Sequence, residues 1–447
     1  MREPNEKAWV VSVLMGLGHL RAAFPLKDIA HQDIVLYGSR RFTPAAEYRR
    51  WKRLRRIYYL FSRAGRVPVL GRYLLALMLA LEKIPPLYPR RDRSTPNASV
   101  RYLDFLIRKR RLCRALLDRV QAPELPVVHT FYATAMALDK MAQATHEQYL
   151  LICDADVNRV WVPRDPAHSR LKYLAPCSQI KKRLMIYGVP EGQIYLTGFP
   201  LPKENLGNEG RLEILKEDLF QRLLRLDPMR KFFSYHQSSV LKWLDRQEIP
   251  APQEGSFHLM FAIGGAGAQT EMTRAILKSL KAKILEGQVT VSFSCGIQKR
   301  VFEEVLNVIN KLEMIGHLGQ TLEVIFDQDV YGYFRKFNQA LRRTDVLWTK
   351  PSELSFYCAL GIPILIAPPI GTHEERNRRW LEEIHAGVEP AGRIEDCREW
   401  LFDLRDNGRL AEAAWDGFLK ARKLGTYKIE KLVRTGSFSE GRGPLEQ

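Results

Sequence analysis

The sequence predicts an α/β protein built from two Rossmann-like domains, each a doubly wound parallel sheet, with a basic helical insertion in the first. Three observations lead there. Short Val- and Ile-rich apolar runs alternate with helical patterns along most of the 447 residues, as expected of parallel strands covered on both faces. The rhythm stops at residues 45–120, where Arg-rich helical stretches take over. The length also exceeds what one ordinary core of ~150 residues would use.

In chain order, Ala8 to Met15 is an apolar run ending at Gly16, and Gly16-Leu17-Gly18-His19 leads into a helix near Leu20. Asp33 to Tyr37 is a second strand, completing a βαβ unit. Residues 45–62 and 100–120 read as basic helices, with an apolar stretch at 69–84 between them. Further strands are expected at Pro126–His129, Gln148–Cys153, Lys172–Pro176 and Gln193–Thr197. Residues 201–255 show only helical signals and read as a helical linker. The second half carries strands at His258–Ile263, Val289–Ser294, Leu322–Phe326, Val346–Trp348 and Ile362–Ala367, with helices in the gaps. The expected domains are residues 1–200 and 256–433, followed by a flexible tail at 434–447. Sheets of this kind bind ligands at the carboxyl ends of their strands, so two that face one another place the site in the cleft between them.

The formal charge is +19, and residues 1–120 hold 26 Lys/Arg against 9 Asp/Glu, a net of +17. An excess this local implies an anionic partner. In residues 45–111 the cations are mixed with aromatic and aliphatic side chains, a composition suited to an anionic membrane surface. Arg49, Arg50, Trp51, Arg53, Arg55, Arg56, Tyr58, Leu74, Leu75 and Leu77 are the expected membrane-facing residues. The run Leu74 to Leu81 is too apolar for a nucleic-acid surface, so no nucleic acid is expected. No apolar run approaches the ~20 residues needed to span a bilayer, and no secretory signal is visible. The expected location is cytoplasmic, peripheral on the inner face of the membrane. Six isolated cysteines fit neither a zinc site nor a disulfide framework and read as reduced core thiols.

Three loops follow strands of the second half. Gly264, Gly265, Ala266, Gly267 and Ala268 open a helix, where glycines admit a diphosphate to the backbone N–H groups. Lys350, Pro351, Ser352 and Glu353 form a helix start, with Ser352 the expected N-cap and Glu353 able to accept from a sugar diol. Gly371, Thr372, His373, Glu374 and Asn377 follow the next strand. In the first half, His19 stands after the first glycine turn as a possible general base. His129 ends one strand, and Asp154 and Asp156 follow another. The sequence leaves open whether His19 or one of these aspartates takes a proton. It implies no metal site.

Together these residues resemble glycosyltransferase family 28, nearest by motif to the diacylglycerol glycosyltransferases. The resemblance runs from about residue 8 to residue 390. It is carried by Gly16-Leu17-Gly18-His19, by Asp154 through Trp161, and by Tyr187-Gly188-Val189-Pro190 with Thr197-Gly198-Phe199-Pro200. The donor side adds Gly264 to Gly267, Lys350-Pro351, Gly361-Ile362-Pro363 and Gly371 with Glu374 and Asn377. It implies the GT-B architecture, a UDP-sugar donor without a further cofactor, and inverting, metal-independent transfer of a hexose to a lipid-like hydroxyl. The glycine loops, Glu353, Glu374 and Asn377 would then hold the donor. Gly16, Gly18 and His129 would lie on the acceptor side, and His19, Asp154 or Asp156 would be the base. Where the family carries a glutamate this chain has Phe356, and Glu353 lies three residues earlier. A nucleotide-sugar epimerase and a catalytically silent membrane- or partner-binding protein are the alternatives on the same architecture.

Overall fold

A computed structural model describes residues 6–64, 83–141, 146–252, 255–263, 270–369 and 371–447. The chain divides into two compact units, Met1–Leu201 with Ile370–Asn377 and Arg422–Gln447, and Pro202–Pro369 with Arg378–Ala421. Each holds a six-stranded parallel sheet. The pair of Rossmann-like sheets expected from the sequence is present.

In the first unit the strands are β1 (Trp9–Val13), β2 (Val35–Tyr37), β3 (Val127–His129), β4 (Gln148–Leu151), β5 (Lys172–Leu174) and β6 (Ile194–Tyr195), in the order β2-β1-β3-β4-β5-β6. Every residue of β1 is buried, because helices cover both faces of such a sheet. Chain order reverses between β1 and β3, so the loops after those strands bracket the point where such folds bind ligands. Gly16 turns the chain out of β1 at φ +91°, a conformation that glycine adopts without strain, and helix α1 (Gly18–Ala23) starts at once.

Helices α2 (Ala45–Ala64), α3 (Ala98–Arg110) and α4 (Arg114–Val120) form the basic insertion. A buried carboxylate fastens it to the sheet: Glu47 accepts from Tyr37 Oη at 2.7 Å and from the N–H of Cys113. Trp51, expected to face a membrane, turns inward instead. It is 5% exposed and packs edge-on to Tyr37 and Phe131, with its ring against Gly38. An indole is too large an apolar surface for α2 to leave in water when a pocket stands beside it. Arg49, Arg50, Arg53 and Arg56 of the same helix are exposed and Arg55 is half-buried. The Tyr58 side chain and Leu74, Leu75 and Leu77 lie outside the described residues. No helix among the described residues is long and apolar enough to cross a membrane.

Next come α5 (Tyr132–Met141) and α6 (Ser178–Ile186). The second unit opens with α7 (Glu213–Leu226) and α8 (Phe233–Trp243). These residues were expected to be a linker but are part of the unit. Arg222 of α7, fully buried, donates to the carbonyls of Thr344, Leu360 and Gly361 at 2.8, 3.0 and 3.2 Å. Arg225 forks onto Asp345, which also accepts from the N–H of His258. Helical signals alone cannot distinguish a linker from helices whose polar ends are bonded to a sheet.

The second sheet comprises β7 (Phe257–Ala262), β8 (Val289–Gly296), β9 (Leu322–Phe326), β10 (Val346–Thr349), β11 (Ile364–Ile366) and β12 (Gly387–Val388), in the order β12-β11-β10-β7-β8-β9. Its order reverses between β7 and β10. Helices α9 (Thr270–Leu285), α10 (Lys299–Lys311), α11 (Val330–Leu341), α12 (Thr372–Glu383), α13 (Cys397–Asp406) and α14 (Arg409–Lys420) follow in turn. The first six residues of α12 belong to the first unit. So does α15 (Gly425–Thr435), whose first residue lies so close to Phe199 that a Cβ there would meet its carbonyl at 2.2 Å. The residues beyond α15, expected as a free tail, fold back. The N–H of Lys423 donates to Gln447 at 2.9 Å, and the Phe438 ring packs on Tyr195.

Candidate functional site

The carboxyl edge of the first sheet gathers most of the titratable residues singled out in the sequence. His19, on the first turn of α1, sets its ring 5.0 Å from Phe131 and 6.1 Å from Trp161. Tyr132 closes the group, 4.4 Å from Phe131 and 5.2 Å from Trp161. Phe131 comes from the loop after β3, Tyr132 from the start of α5, and Trp161 from a short 3-10 turn at Arg159–Trp161. Among the described residues the Nδ1 of His19 finds no hydrogen-bond partner. Burial lowers the His19 pKa. The negative charge of Asp154 and the Thr130 backbone oppose that shift, and His373 reinforces it. The net result is a neutral imidazole at neutral pH, the form a general base requires.

The two aspartates differ. Asp156 is buried and grips Arg183 with both oxygens, at 2.7 and 2.8 Å. It also accepts from the N–H of Val157 and from Gln179 Nε2. Arg183 reaches on to the carbonyl of Pro85, tying the middle of the insertion to α6. Expected as an alternative base, Asp156 is instead a locked structural ion: its lone pairs are occupied, and a charge so placed is costly to disturb. Asp154 is half-exposed and takes a 2.9 Å hydrogen bond from Asn377 Nδ2. His129, expected on the acceptor side, is fully buried. Its Nδ1 pairs with Thr134 Oγ1 at 3.1 Å, and burial pushes its pKa down to about 3. It is a neutral core residue, out of a ligand's reach.

Residues 371–377 complete this edge. Gly371 is buried, with the His373 ring so close that a Cβ at position 371 would lie 2.9 Å from it. Thr372 and His373 are half-buried. Glu374 is buried and already partnered. Asn377, expected to hold donor hydroxyls, is fully buried, with its Oδ1 accepting from the N–H of Ala155 at 2.7 Å. Gly16 and Gly18, expected on the acceptor side, form the turn after β1 and the first residue of α1.

In the second unit, Thr349 ends β10 beside Ala262 of β7, at the reversal point. Lys350, buried Pro351, Ser352 and Glu353 follow, and a 3-10 helix runs from Glu353 to Leu360. Ser352 occupies the N-cap position, but its side chain makes no capping bond. Glu353 is half-buried at the helix start. Phe356 packs on Trp380 at 4.9 Å, so the core takes the position where a glutamate would stand. Gly264 to Ala268 lie outside the described residues. No cluster of three or more His, Cys, Asp or Glu able to hold a metal ion occurs among the described residues.

A family model described as Domain of unknown function (DUF6938) matches residues 245–325 and 316–433. The chain is 22% identical over 275 residues to a processive diacylglycerol beta-glucosyltransferase of Bacillus cereus strain G9842, covering 61% of this chain and 57% of that protein. It therefore spans less than two thirds of that relative's length. The sequence similarity falls on the group indicated by the motifs. Among solved structures, an S. aureus MnaA–UDP co-structure matches with a TM-score of 0.45 at 10% identity, covering 98% of this chain and 100% of that one. Phytolacca americana UGT2, complexed with UDP-2-fluoro-glucose and pterostilbene, matches with a TM-score of 0.41 at 12% identity, covering 83% and 90%.

The sequence reading passed over Phe131 and Tyr132. Their only signal was position, one residue beyond a strand that ends at the reversal point.

Proposed function

We propose that this protein transfers a hexose from a UDP-sugar to a hydroxyl of a lipid-like acceptor at an anionic membrane surface, with inversion. The observation that carries the reading is His19: a neutral imidazole whose Nδ1 has no partner among the described residues, at the reversal point of a parallel sheet, beside aromatic rings. His19 takes the proton as the acceptor oxygen bonds to the anomeric carbon. The bond from that carbon to the diphosphate breaks, and UDP leaves with the electron pair. Aromatic faces beside the base suit both a sugar ring and an acyl chain. Donor binding is assigned to Lys350, Ser352 and Glu353, which follow β10 at the reversal point of the second sheet. The similarity to a diacylglycerol glucosyltransferase supports both substrates.

The membrane contact is assigned to the basic insertion. On α3, Tyr102 and Phe105 are 61% and 48% exposed, and Arg101, Arg108 and Lys109 beside them are exposed too. Arg50 of α2 donates to the carbonyl of Arg110, which joins the two basic helices. Cations there gain about 1 kcal/mol each near an anionic leaflet.

The test is calorimetric titration with UDP, UDP-glucose, UDP-galactose, UDP-N-acetylglucosamine and GDP-mannose. Selective binding of uridine nucleotides is expected, with a rise in melting temperature by mass action. No response to any of them would overturn the donor assignment. Conversion of a UDP-sugar to its epimer without acceptor would replace transfer by epimerisation.

A further inference from the structure

A cavity of about 460 Å3 opens where β4 begins, at the amino edge of the first sheet and so at the edge opposite to His19. It lies wholly within the first unit. One wall is α3, through Val100, Leu103 and Ile107, and another is the end of α5 with the loop 162–170. Three carboxylates and three Lys or Arg side chains line it, so it has no net preference for an ion. Asp104 alone is ringed by Arg108, Lys140 and Arg164 at 3.0, 3.8 and 3.5 Å. Two other groups of the lining are not matched. Gln148, the first residue of β4, is 6% exposed, and its Oε1 has no hydrogen-bond partner among the described residues. The neighbouring His129 cannot serve that oxygen. Thr134 gives its proton to the Phe131 carbonyl, so His129 Nδ1–H donates to Thr134 Oγ1, and the Nε2 of the neutral ring is itself an acceptor. His146 Nδ1 is likewise buried without a partner among the described residues. Polar atoms so placed are costly to leave unmet.

We propose that this cavity is a second, non-catalytic site that binds a neutral polyhydroxylated ligand, a hexose ring. The chemistry of the ligand follows from the lining. A hydroxyl both donates and accepts, so neighbouring hydroxyls can give to Gln148 Oε1 and meet His146 Nδ1 in either tautomer. Asp139 accepts from Ser169 Oγ at 3.0 Å and from the Arg170 backbone. A carboxylate offers about four acceptor positions, so it keeps capacity for a sugar hydroxyl. Arg164, held to Asp104 by one contact, has N–H groups left for sugar oxygens. The C–H face of a pyranose suits the apolar side chains of α3, and the volume lies in the range of small-ligand pockets. A phosphate would find the cations already matched by carboxylates. An acyl chain would leave Gln148 Oε1 and His146 Nδ1 buried and unbonded. Because α3 also carries the exposed Tyr102 and Phe105, the hexose has two sources: free sugar, or the headgroup of a glycolipid in the bilayer. Only the second source rests on the membrane assignment made above; binding of the hexose itself does not.

The experiment is a saturation-transfer NMR titration of the full chain with D-glucose, D-galactose and, as a competitor, inorganic phosphate. Saturable hexose binding in the millimolar range is expected, with no displacement by phosphate. Gln148→Leu should weaken it about tenfold and Arg164→Ala about threefold. Arg164 is exposed, so its variant keeps the test readable if Gln148→Leu fails to fold. His19→Gln, at the opposite edge, should leave hexose binding unchanged. No saturable binding to the wild type, or wild-type affinity in Arg164→Ala and Gln148→Leu alike, would overturn the proposal. So would displacement by phosphate, which would make the cavity an anion site, or loss of binding in His19→Gln, which would return the hexose to the carboxyl edge. Co-sedimentation with vesicles then separates the sources. Vesicles carrying glucosyl diacylglycerol that retain more wild type than plain vesicles, but no more Gln148→Leu, identify the membrane headgroup. Equal retention beside hexose binding in solution identifies the free sugar. Binding is readable without turnover or nucleotide. A protein that holds hexose here but transfers none would defeat the transferase reading and leave this site standing.

Discussion

His19 and His258 are partly buried histidines at opposite edges of parallel sheets, and burial lowers the pKa of both. His258, at the amino edge of the second sheet, is fully engaged. Its Nδ1 meets Thr290 Oγ1 at 2.7 Å and its Nε2 meets Ser292 Oγ at 2.8 Å. Ser292 passes the chain on to Glu323, which is paired with Arg343. Nearby, Arg225 is matched by Asp345 and Arg342 by Asp218. These groups, Ser292 apart, line a 590 Å3 cavity, yet their hydrogen-bonding capacity is turned on one another. His19, at the carboxyl edge of the first sheet, has an Nδ1 without a partner among the described residues, beside aromatic rings. The contrast shows that a hollow lined with charge is not enough to mark a site. A half-buried histidine beside aromatic rings at the chain reversal is the stronger signal; an unpartnered nitrogen alone is not, since the Nε2 of fully buried His129 also finds no partner among the described residues.

The largest expected effect comes from removing the unspent group. His19→Ala should lower kcat by about 10²–10⁴ and leave the melting temperature within a degree or two. An unchanged kcat would pass the base role to Asp154. Next is the contrast between the two aspartates. Asp156→Ala strands Arg183 as a buried charge and should cost about 3–5 kcal/mol in urea unfolding, whereas Asp154→Ala, at a half-exposed carboxylate, should cost far less. Equal losses would erase the distinction between a locked ion and a working one.

The smallest effect concerns pH. His258 is lowered to about 4, chiefly by burial, so the unfolded chain takes up its proton first as pH falls through about 6.5. The stability it contributes is whole above that pH and is lost on the way down to about 4. At most about 3 kcal/mol is involved. His258→Gln should flatten the acid limb of stability between those limits, and an unchanged limb would mean that His258 stays neutral without cost.

Much of the fold was legible because its signals are local. Apolar runs ending in glycine gave the long strands within a residue or two, and strand ends gave the loops around Gly16, Thr349 and Gly371. What escaped notice depends on partners distant in sequence. Asp154 and Asp156 are alike as sequence, and only Arg183 and Asn377 separate them. Trp51 sits among arginines, and its inward turn is decided by Gly38, Tyr37 and Phe131. The strand Gly387–Val388 is too short to show a pattern. The return of α15 to the first unit depends on the close approach of Gly425 to Phe199, which no periodicity records.

The central claim is that His19 deprotonates an acceptor attacking a UDP-sugar. Its most direct test is to incubate the protein with a UDP-hexose and diacylglycerol in anionic vesicles, and to measure UDP and glycolipid by mass spectrometry against His19→Ala. Equimolar UDP and hexosyl-lipid with the wild type, and a loss of both by two orders of magnitude or more in the variant, is the predicted result. Bound nucleotide with no glycolipid formed, or equal product from the variant, would contradict it.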